Sequence, residues 1–401
     1  MRYLRLSFLL SFLLLIYSGC DNDDPDTFNE PYFTIDVDAR GYEEWIFITN
    51  TSGGLVGYKQ IPKEGVSIQL TKRIAPLSGQ INVYVMGISQ DGLKRSFFCN
   101  AYLGLETGQT YRNKQPLPQG RVNEINSDVR VAYAPKSAVF HWSPTLGTTR
   151  WIAWDTTYFE GKKITSNRDL VACFTAESMM YADIENVPNP QKFRYPDDFK
   201  EYDHQIEVPT GINPSGIVTS AIDPGMTYFM LVYSTTDFEK LEFNKTIKLC
   251  YLNGFDTYFT SYNLGTKSFV MNGDIPTVEE ASIPDYDVSV TNKSLFNFSA
   301  DVPAEISHRR STYNYEEAMG GKQNIYRVSV YSVNASAYQF DLSLPKEFRD
   351  AYSEISFSDF EYGGTTFEQT SIQNGYKNVV LRQLDNTLVP LEGYTYTYYS
   401  N

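Results

Sequence analysis

The sequence predicts an all-β chain made of two or three tandem antiparallel β-sandwich domains of immunoglobulin-like size. Three observations predict this. Apolar and polar residues alternate with a period of two through many short stretches, the pattern of half-buried strands. Tyrosine (31) and phenylalanine (25) lift aromatics to 15% of the 401 residues, and aromatic and β-branched side chains suit a pleated, half-buried surface. Turn-forming Gly, Asn, Asp, Ser and Pro clusters break the chain at short intervals, as sandwiches require. The length exceeds one comfortable core and divides into two or three.

The elements follow in order. Phe33, Ile35 and Val37 alternate with Thr34, Asp36 and Asp38 as a strand. Glu43 to Asn50 and Leu55 to Ile61 flank Thr51-Ser52-Gly53-Gly54 and read as a hairpin. Val66, Ile68 and Leu70 alternate again. Ile81, Val83 and Val85 form a strand that Gln90-Asp91-Gly92 turns into Lys94 to Tyr102. These strands make a first sandwich over 30–118, and Gln115 to Gly120 reads as a linker. In a second β-rich region, 121–277, strands are expected at Val129 to Tyr133, Ala138 to Trp142, Arg150 to Trp154 and Leu170 to Thr175. Pro188 to Tyr202, with three prolines and many charges, reads as an irregular insertion. Gln205 to Val208, Tyr228 to Tyr233, Thr246 to Leu252 and Tyr258 to Tyr262 resume the strand pattern. The C-terminal β-rich region, 285–401, offers Val288 to Thr291, Leu295 to Phe298, Tyr326 to Ser332, Tyr338 to Leu342, Glu354 to Phe360, Val379 to Leu384 and Tyr394 to Tyr399. Its helix candidate is Pro345 to Tyr352, with proline in the first turn.

The first residues carry a separate signal. Arg2 and Arg5 precede an apolar run from Leu6 to Tyr17, followed by Ser18-Gly19-Cys20. That is the layout of a signal peptide over 1–19, and the apolar run is too short to span a membrane as an ordinary helix. Ser18-Gly19-Cys20 resembles the lipobox of bacterial lipoproteins, although Tyr17 stands where a small aliphatic residue is usual. The tract Asp21-Asn22-Asp23-Asp24 resembles the export signal of Bacteroidota surface lipoproteins. The resemblance implies acylation of Cys20, palmitate included, and an outer-membrane location facing the extracellular side. Residues 20–29 would then be a lipidated cysteine and acidic tether, flexible enough to lift the body off the lipid.

Charge narrows the partners. The chain carries a net charge of −14, and loss of Arg2 and Arg5 with the signal peptide makes it more acidic still. Such a chain repels nucleic acid and anionic membrane surfaces, so nucleic acid is not expected as a partner. The membrane would hold it through the N-terminal lipid, with stable anchoring from more than one chain. Apart from Cys20, only Cys99, Cys173 and Cys250 remain, without metal-ligand spacing, and each reads as a small buried hydrophobe.

Candidate chemistry is sparse. His141, His204 and His308 are the only histidines. No G-x-S-x-G elbow or H-E-x-x-H pair accompanies them, so no catalytic residue is assigned. Paired carboxylates for glycoside hydrolysis have no fixed spacing, and an acidic chain gives no selective signal for them. Asp21, Asp23 and Asp26 lack the mid-loop glycine and terminal glutamate of a calcium loop. No metal ligand or cofactor is assigned, and a structural calcium on another loop stays open without a location.

The leading binding candidates are Trp142, Trp151 and Trp154, three of the four tryptophans, gathered in one short stretch. In a strand over Arg150 to Asp155, Trp151 and Trp154 fall on opposite faces. One can fill the core while the other offers an indole face to a pyranose ring. The competing reading makes all three packing residues, and Trp45 reads as core. Asp155-Thr156-Thr157 resembles the Asp-Ser/Thr-small pattern of Bacteroidota O-glycosylation sites. Together these features favour a non-catalytic, glycan-binding surface module, with a polysaccharide or an outer-membrane protein as partner. The alternatives are a fimbrillin-like or adhesin subunit and, behind it, a surface hydrolase.

Overall fold

In β1 (Pro31–Asp38), Phe33, Ile35 and Val37 are all buried, as their alternation requires. The computed structural model describes residues 31–38, 43–62, 65–71, 79–91, 94–113, 124–133, 137–143, 147–153, 157–165, 169–174, 179–185, 187, 190–212, 214, 216–222, 229–235, 246–319, 322–340, 342, 344–372, 375–377 and 392–400.

The chain is all-β. After β1 come β2 (Glu43–Thr49), β3 (Leu55–Ile61), β4 (Gly65–Thr71), β5 (Gln80–Asp91), β6 (Lys94–Glu106) and β7 (Gln109–Asn113). Then follow β8 (Glu124–Ala132), β9 (Ser137–Ser143), β10 (Gly147–Ala153), β11 (Thr157–Thr165), β12 (Asp169–Phe174), β13 (Met179–Ile184) and β14 (Gln191–Arg194). Next are β15 (Lys200–Glu201), β16 (His204–Pro209), β17 (Gly216–Ile222), β18 (Phe229–Thr235), β19 (Thr246–Tyr251), β20 (Thr257–Asn263), β21 (Lys267–Gly273) and helix α1 (Val278–Ala281). The last stretch holds β22 (Ser289–Lys293), β23 (Asn297–Asp301), β24 (His308–Met319), β25 (Lys322–Ser332), β26 (Ala337–Gln339), helix α2 (Lys346–Ala351), β27 (Glu361–Thr370) and β28 (Gly393–Ser400).

One pairing scheme recurs four times. In the first copy, β1 pairs with β4, and the opposing sheet runs β3-β2-β5-β6. The same roles fall to β8 with β11 and β10-β9-β12-β13, then to β16 with β19 and β18-β17-β20-β21. They fall finally to β23 with β26 and β25-β24-β27-β28. In the first two copies a seventh strand lies parallel to the first: β7 beside β1, and β14 beside β8. This is sandwich topology, with two sheets burying facing sides. The sandwiches also share strands' edges. β6 runs parallel to β25, and β21 pairs antiparallel with β28, so strands of three copies join in one 12-stranded sheet.

Burial follows the pleat. In β20, Tyr258, Thr260 and Tyr262 are buried and the intervening residues half-buried. In β2 the two sides of the strand serve different cores. Trp45 and Phe47 enter the largest apolar cluster, while Ile46 and Ile48 join Phe33, Ile35 and Val37 beneath the first sheet. Val129 and Val131 of β8 meet Val171 and Cys173 of β12 in a third core.

The hairpin at 51–54 is held by the Asn50 side chain, whose Oδ1 accepts from Ser52 N at 3.1 Å and Gly54 N at 2.8 Å. Gly53 there takes φ 86°, a conformation that suits glycine. α2 lies within the expected helix and buries Phe348 edge-on against Phe47, with ring centres 5.2 Å apart. Residues 354–360, expected as a strand, instead hold a 3-10 turn at Phe357–Asp359. The turn joins the hydroxyls of Ser356 and Ser358 at 2.7 Å and stacks Phe357 on Phe360 at 5.8 Å, a pair that an extended strand would set on opposite faces. The expected strand at 379–384 lies outside the described residues. Cys99, Cys173 and Cys250 are buried and form no disulfide.

Candidate functional site

The most exposed aromatic ring of the described residues is at one end of the second sandwich. β8 ends at Ala132, and Tyr133 follows at φ 63°, in the left-handed region, with 62% of its surface exposed. A bulky residue in that region is an outlier that costs about 1–3 kcal/mol. Parallel pairing puts Arg194, the last residue of β14, beside Ala132. Its guanidinium carbon is 4.9 Å from the Tyr133 ring centre, a cation–π distance. Arg194 Nε is 3.3 Å from Asp197 Oδ2, and both side chains are well exposed.

The base beneath these groups is fixed. Tyr195 N donates to the Ala132 carbonyl at 2.9 Å, and Arg194 N donates to Asp198 Oδ2 at 2.6 Å. Phe199 N donates to the Pro196 carbonyl at 2.9 Å and closes the turn. Phe199 is buried, and the rings of Phe193 and Tyr195 pack against it at 6.3 Å and 5.6 Å. Residues 190–202 of the proline-rich stretch read as an irregular insertion thus hold a strand, a tight turn and a short second strand.

The tryptophan candidates divide. Trp142 in β9 and Trp151 in β10 are described in backbone alone. Antiparallel register sets Trp142 opposite Thr148 and Trp151 opposite Val139, so the two positions alternate along the pleat. β10 is the outermost strand of its sheet. Trp154 lies outside the described residues, as do Cys20 and the tract Asp21, Asn22, Asp23 and Asp24. Trp45 is core: it stacks on Phe47 at 6.0 Å, and its indole Nε1 has no hydrogen-bond partner.

Two histidines are described with their side chains. His204 is exposed, with Nε2 2.7 Å from Asn253 Oδ1. His308 is buried between two partners. Its Nε2 lies 2.8 Å from Glu368 Oε2, and its Nδ1 lies 2.8 Å from Ser307 Oγ. Ser307 Oγ also donates to the Glu368 main-chain carbonyl at 2.9 Å. His308 and Glu368 are direct cross-strand partners on β24 and β27. The array therefore clasps two strands, with the serine hydroxyl engaged by backbone. Sixty positions separate the histidine from its acid, so no local motif announces it.

Next to it, Arg309 is fully buried, and its guanidinium carbon lies 3.9 Å from the Phe298 ring centre and 4.4 Å from that of Tyr338. Nε donates to the Asn334 carbonyl at 3.1 Å, while neither terminal nitrogen has a hydrogen-bond partner. Burial depresses the guanidinium to about 10. Among the described residues, no group of three or more His, Cys, Asp or Glu gathers to hold a metal ion.

No known protein family matches the chain, and no curated protein matches it. Among solved structures, it is similar to a "tetra-tandem repeat in extending region of large adhesion protein", at 11% identity and a TM-score of 0.12. That match covers 84% of this chain and 94% of the other.

Proposed function

We propose that this chain is a lipid-anchored cell-surface protein acting as a non-catalytic binding module whose ligand is a glycan. The N-terminal sequence supports the location: a short apolar run is followed by Ser18-Gly19-Cys20 and then by Asp21, Asn22, Asp23 and Asp24. The observation that supports the binding reading is the all-β body, in which a tryptophan-bearing strand lies at the edge of its sheet. Trp151 stands on the edge strand β10, and Trp154 follows it three positions on in sequence. Rigid aromatic side chains offer contact area at small entropic cost, and neighbouring polar groups fix the ligand's orientation. The test is native gel electrophoresis of the full-length chain in detergent, through gels containing different polysaccharides. Retardation by a glycan, lost in Trp151→Ala or Trp154→Ala, supports the reading. Unchanged mobility in every gel overturns it.

A structural, adhesin-like role is favoured by one separate observation. The 12-stranded sheet ends at β3 and β18, and outer strands present backbone groups that another chain's strand can pair with. Concentration-dependent assembly of the purified chain, seen as rising mass in light scattering, would support that role. A constant monomer mass across the range would remove it.

A further inference from the structure

We infer that the Tyr133–Arg194–Asp197 cluster at the end of the second sandwich is a subsite for a neutral pyranose. The inference rests on the glycan reading above and locates a site that the sequence did not mark.

The first ground is the backbone of Tyr133. A tyrosine at φ 63° is held in a conformation that side-chain-bearing residues avoid, and here its ring goes outward, 62% exposed. Neither apolar burial nor an internal hydrogen bond explains it. Strained non-glycine positions held in place by their surroundings cluster at ligand sites. Here the surroundings are a parallel strand pair and the turn beneath it, anchored by Phe199 in the core.

The second ground is what surrounds the ring. Arg194 supplies N–H donors from 4.9 Å, and Asp197 supplies a carboxylate acceptor 3.3 Å from Arg194 Nε. A flat apolar face bordered by one donor group and one acceptor group suits a pyranose. The C–H face of the sugar stacks on the ring, and its neighbouring hydroxyls meet the guanidinium and carboxylate.

The third ground is position. The loops of a sandwich gather at its two ends, where binding residues concentrate. Register brings several strand ends together here: Ala132 beside Arg194, Val131 beside Thr157, and Ser137 beside Ala153. Charge selects among sugars. With Asp197 and Asp198 next to Arg194 and a net charge of −14, a uronic-acid polymer is repelled. A neutral glycan is not.

The test compares the full-length chain with Tyr133→Ala, Tyr133→Asn, Tyr133→Phe and Arg194→Ala in affinity gels. The gels hold soluble starch, xyloglucan, galactomannan or, as the anionic arm, polygalacturonate. Asparagine tolerates the left-handed region, so Tyr133→Asn keeps the backbone while removing the ring. Expected is retardation of the parent chain by a neutral polymer, weakened about tenfold in Tyr133→Ala and Tyr133→Asn and about threefold in Arg194→Ala, with Tyr133→Phe near the parent. Retardation unchanged in all four variants overturns the subsite while leaving the glycan reading standing. Retardation by polygalacturonate alone overturns the neutral-sugar assignment. No retardation of the parent chain by any polymer removes the glycan reading, and the subsite with it.

Discussion

The guanidinium of Arg309 packs 3.9 Å from the centre of the Phe298 ring, joining the 12-stranded sheet to the small sheet that covers it. Phe298 and Tyr338 are cross-strand partners whose rings lie 2° from parallel, and the cation rests against both. Its terminal nitrogens are buried without hydrogen-bond partners. Aromatic faces thus offset only part of the cost of burying this charge.

Arg309→Met should therefore be neutral or stabilising by about 1–3 kcal/mol, because it removes an incompletely paired buried charge and keeps most of the volume. Arg309→Ala should cost about 2–4 kcal/mol, because it leaves a cavity between two sheets. Urea unfolding of both variants checks this. A methionine variant as unstable as the alanine one would mean that the cation is needed and the volume is not.

Alkaline pH should unfold the protein. Burial raises the phenols of Tyr102, Tyr251, Tyr338 and Tyr376, and it raises Tyr313 to about 12. A raised folded pKa favours the neutral phenol. The stability it contributes is complete below the unfolded value of about 10 and is lost as pH climbs above it, by about 1.4 kcal/mol per pH unit for each tyrosine. Arg309 acts oppositely: its folded pKa is lowered to about 10, so its burial penalty fades between there and 12.5. One arginine is outweighed by several tyrosines. Denaturation midpoints measured from pH 7 to 11.5 should fall beyond pH 10, and less steeply in Tyr313→Phe. A flat profile to pH 11.5 would contradict the burial of these phenols.

The thiols of Cys99, Cys173 and Cys250 should be inert in the native protein. All three are buried, and burial raises the Cys99 and Cys250 thiols far above the ordinary range. Thiolate is the reactive form. Iodoacetamide followed by mass spectrometry should find them unmodified at pH 8 and modified in denaturant. Alkylation of Cys99 under native conditions would show an opening of the central sheet.

Gly87 leaves room for a ring. It stands opposite Phe98 on β5 and β6, and a Cβ at Gly87 would come within 2.4 Å of Phe98 Cζ. Gly87→Ala should cost about 1–3 kcal/mol through overpacking. In the Phe98→Ala background the added cost should nearly vanish, giving a clear coupling energy in a double-mutant cycle. Additive losses would mean that the clash lies elsewhere.

The strands were legible where apolar residues alternate or a turn marks a hairpin. β1 announces itself by the alternation of Phe33, Ile35 and Val37, and β3 by the turn that joins it to β2. β24 and β27 escaped because polar residues occupy buried positions: His308, Arg309, Ser311 and Thr365 break the apolar pattern, and His308, Ser311 and Thr365 find partners far along the chain. Helix α1 carried a local signal that went unread, the reciprocal Thr277–Glu280 capping box. Tyr133 showed nothing in sequence, because the residues that pair beside it, Arg194 and Tyr195, lie some sixty residues on. The fourfold pairing scheme was hidden too. No Gly- or Pro-rich linker separates Arg194 from His204, so the region 121–277 runs continuously through two copies of it.

The parallel pairing of β6 with β25 also sets a timetable. Residues 94–103 find β5 on one side at once, but their neighbour on the other side, residues 323–332, emerges only much later. The aromatic flank of β6, including Phe97, therefore waits uncovered while most of the polypeptide is still being made or moved. Distant pairings of this kind slow folding and prolong exposure of sticky edges. A holding chaperone would shelter the N-terminal strands best during that wait, and truncation after β21 should leave a chain that aggregates more readily than the whole.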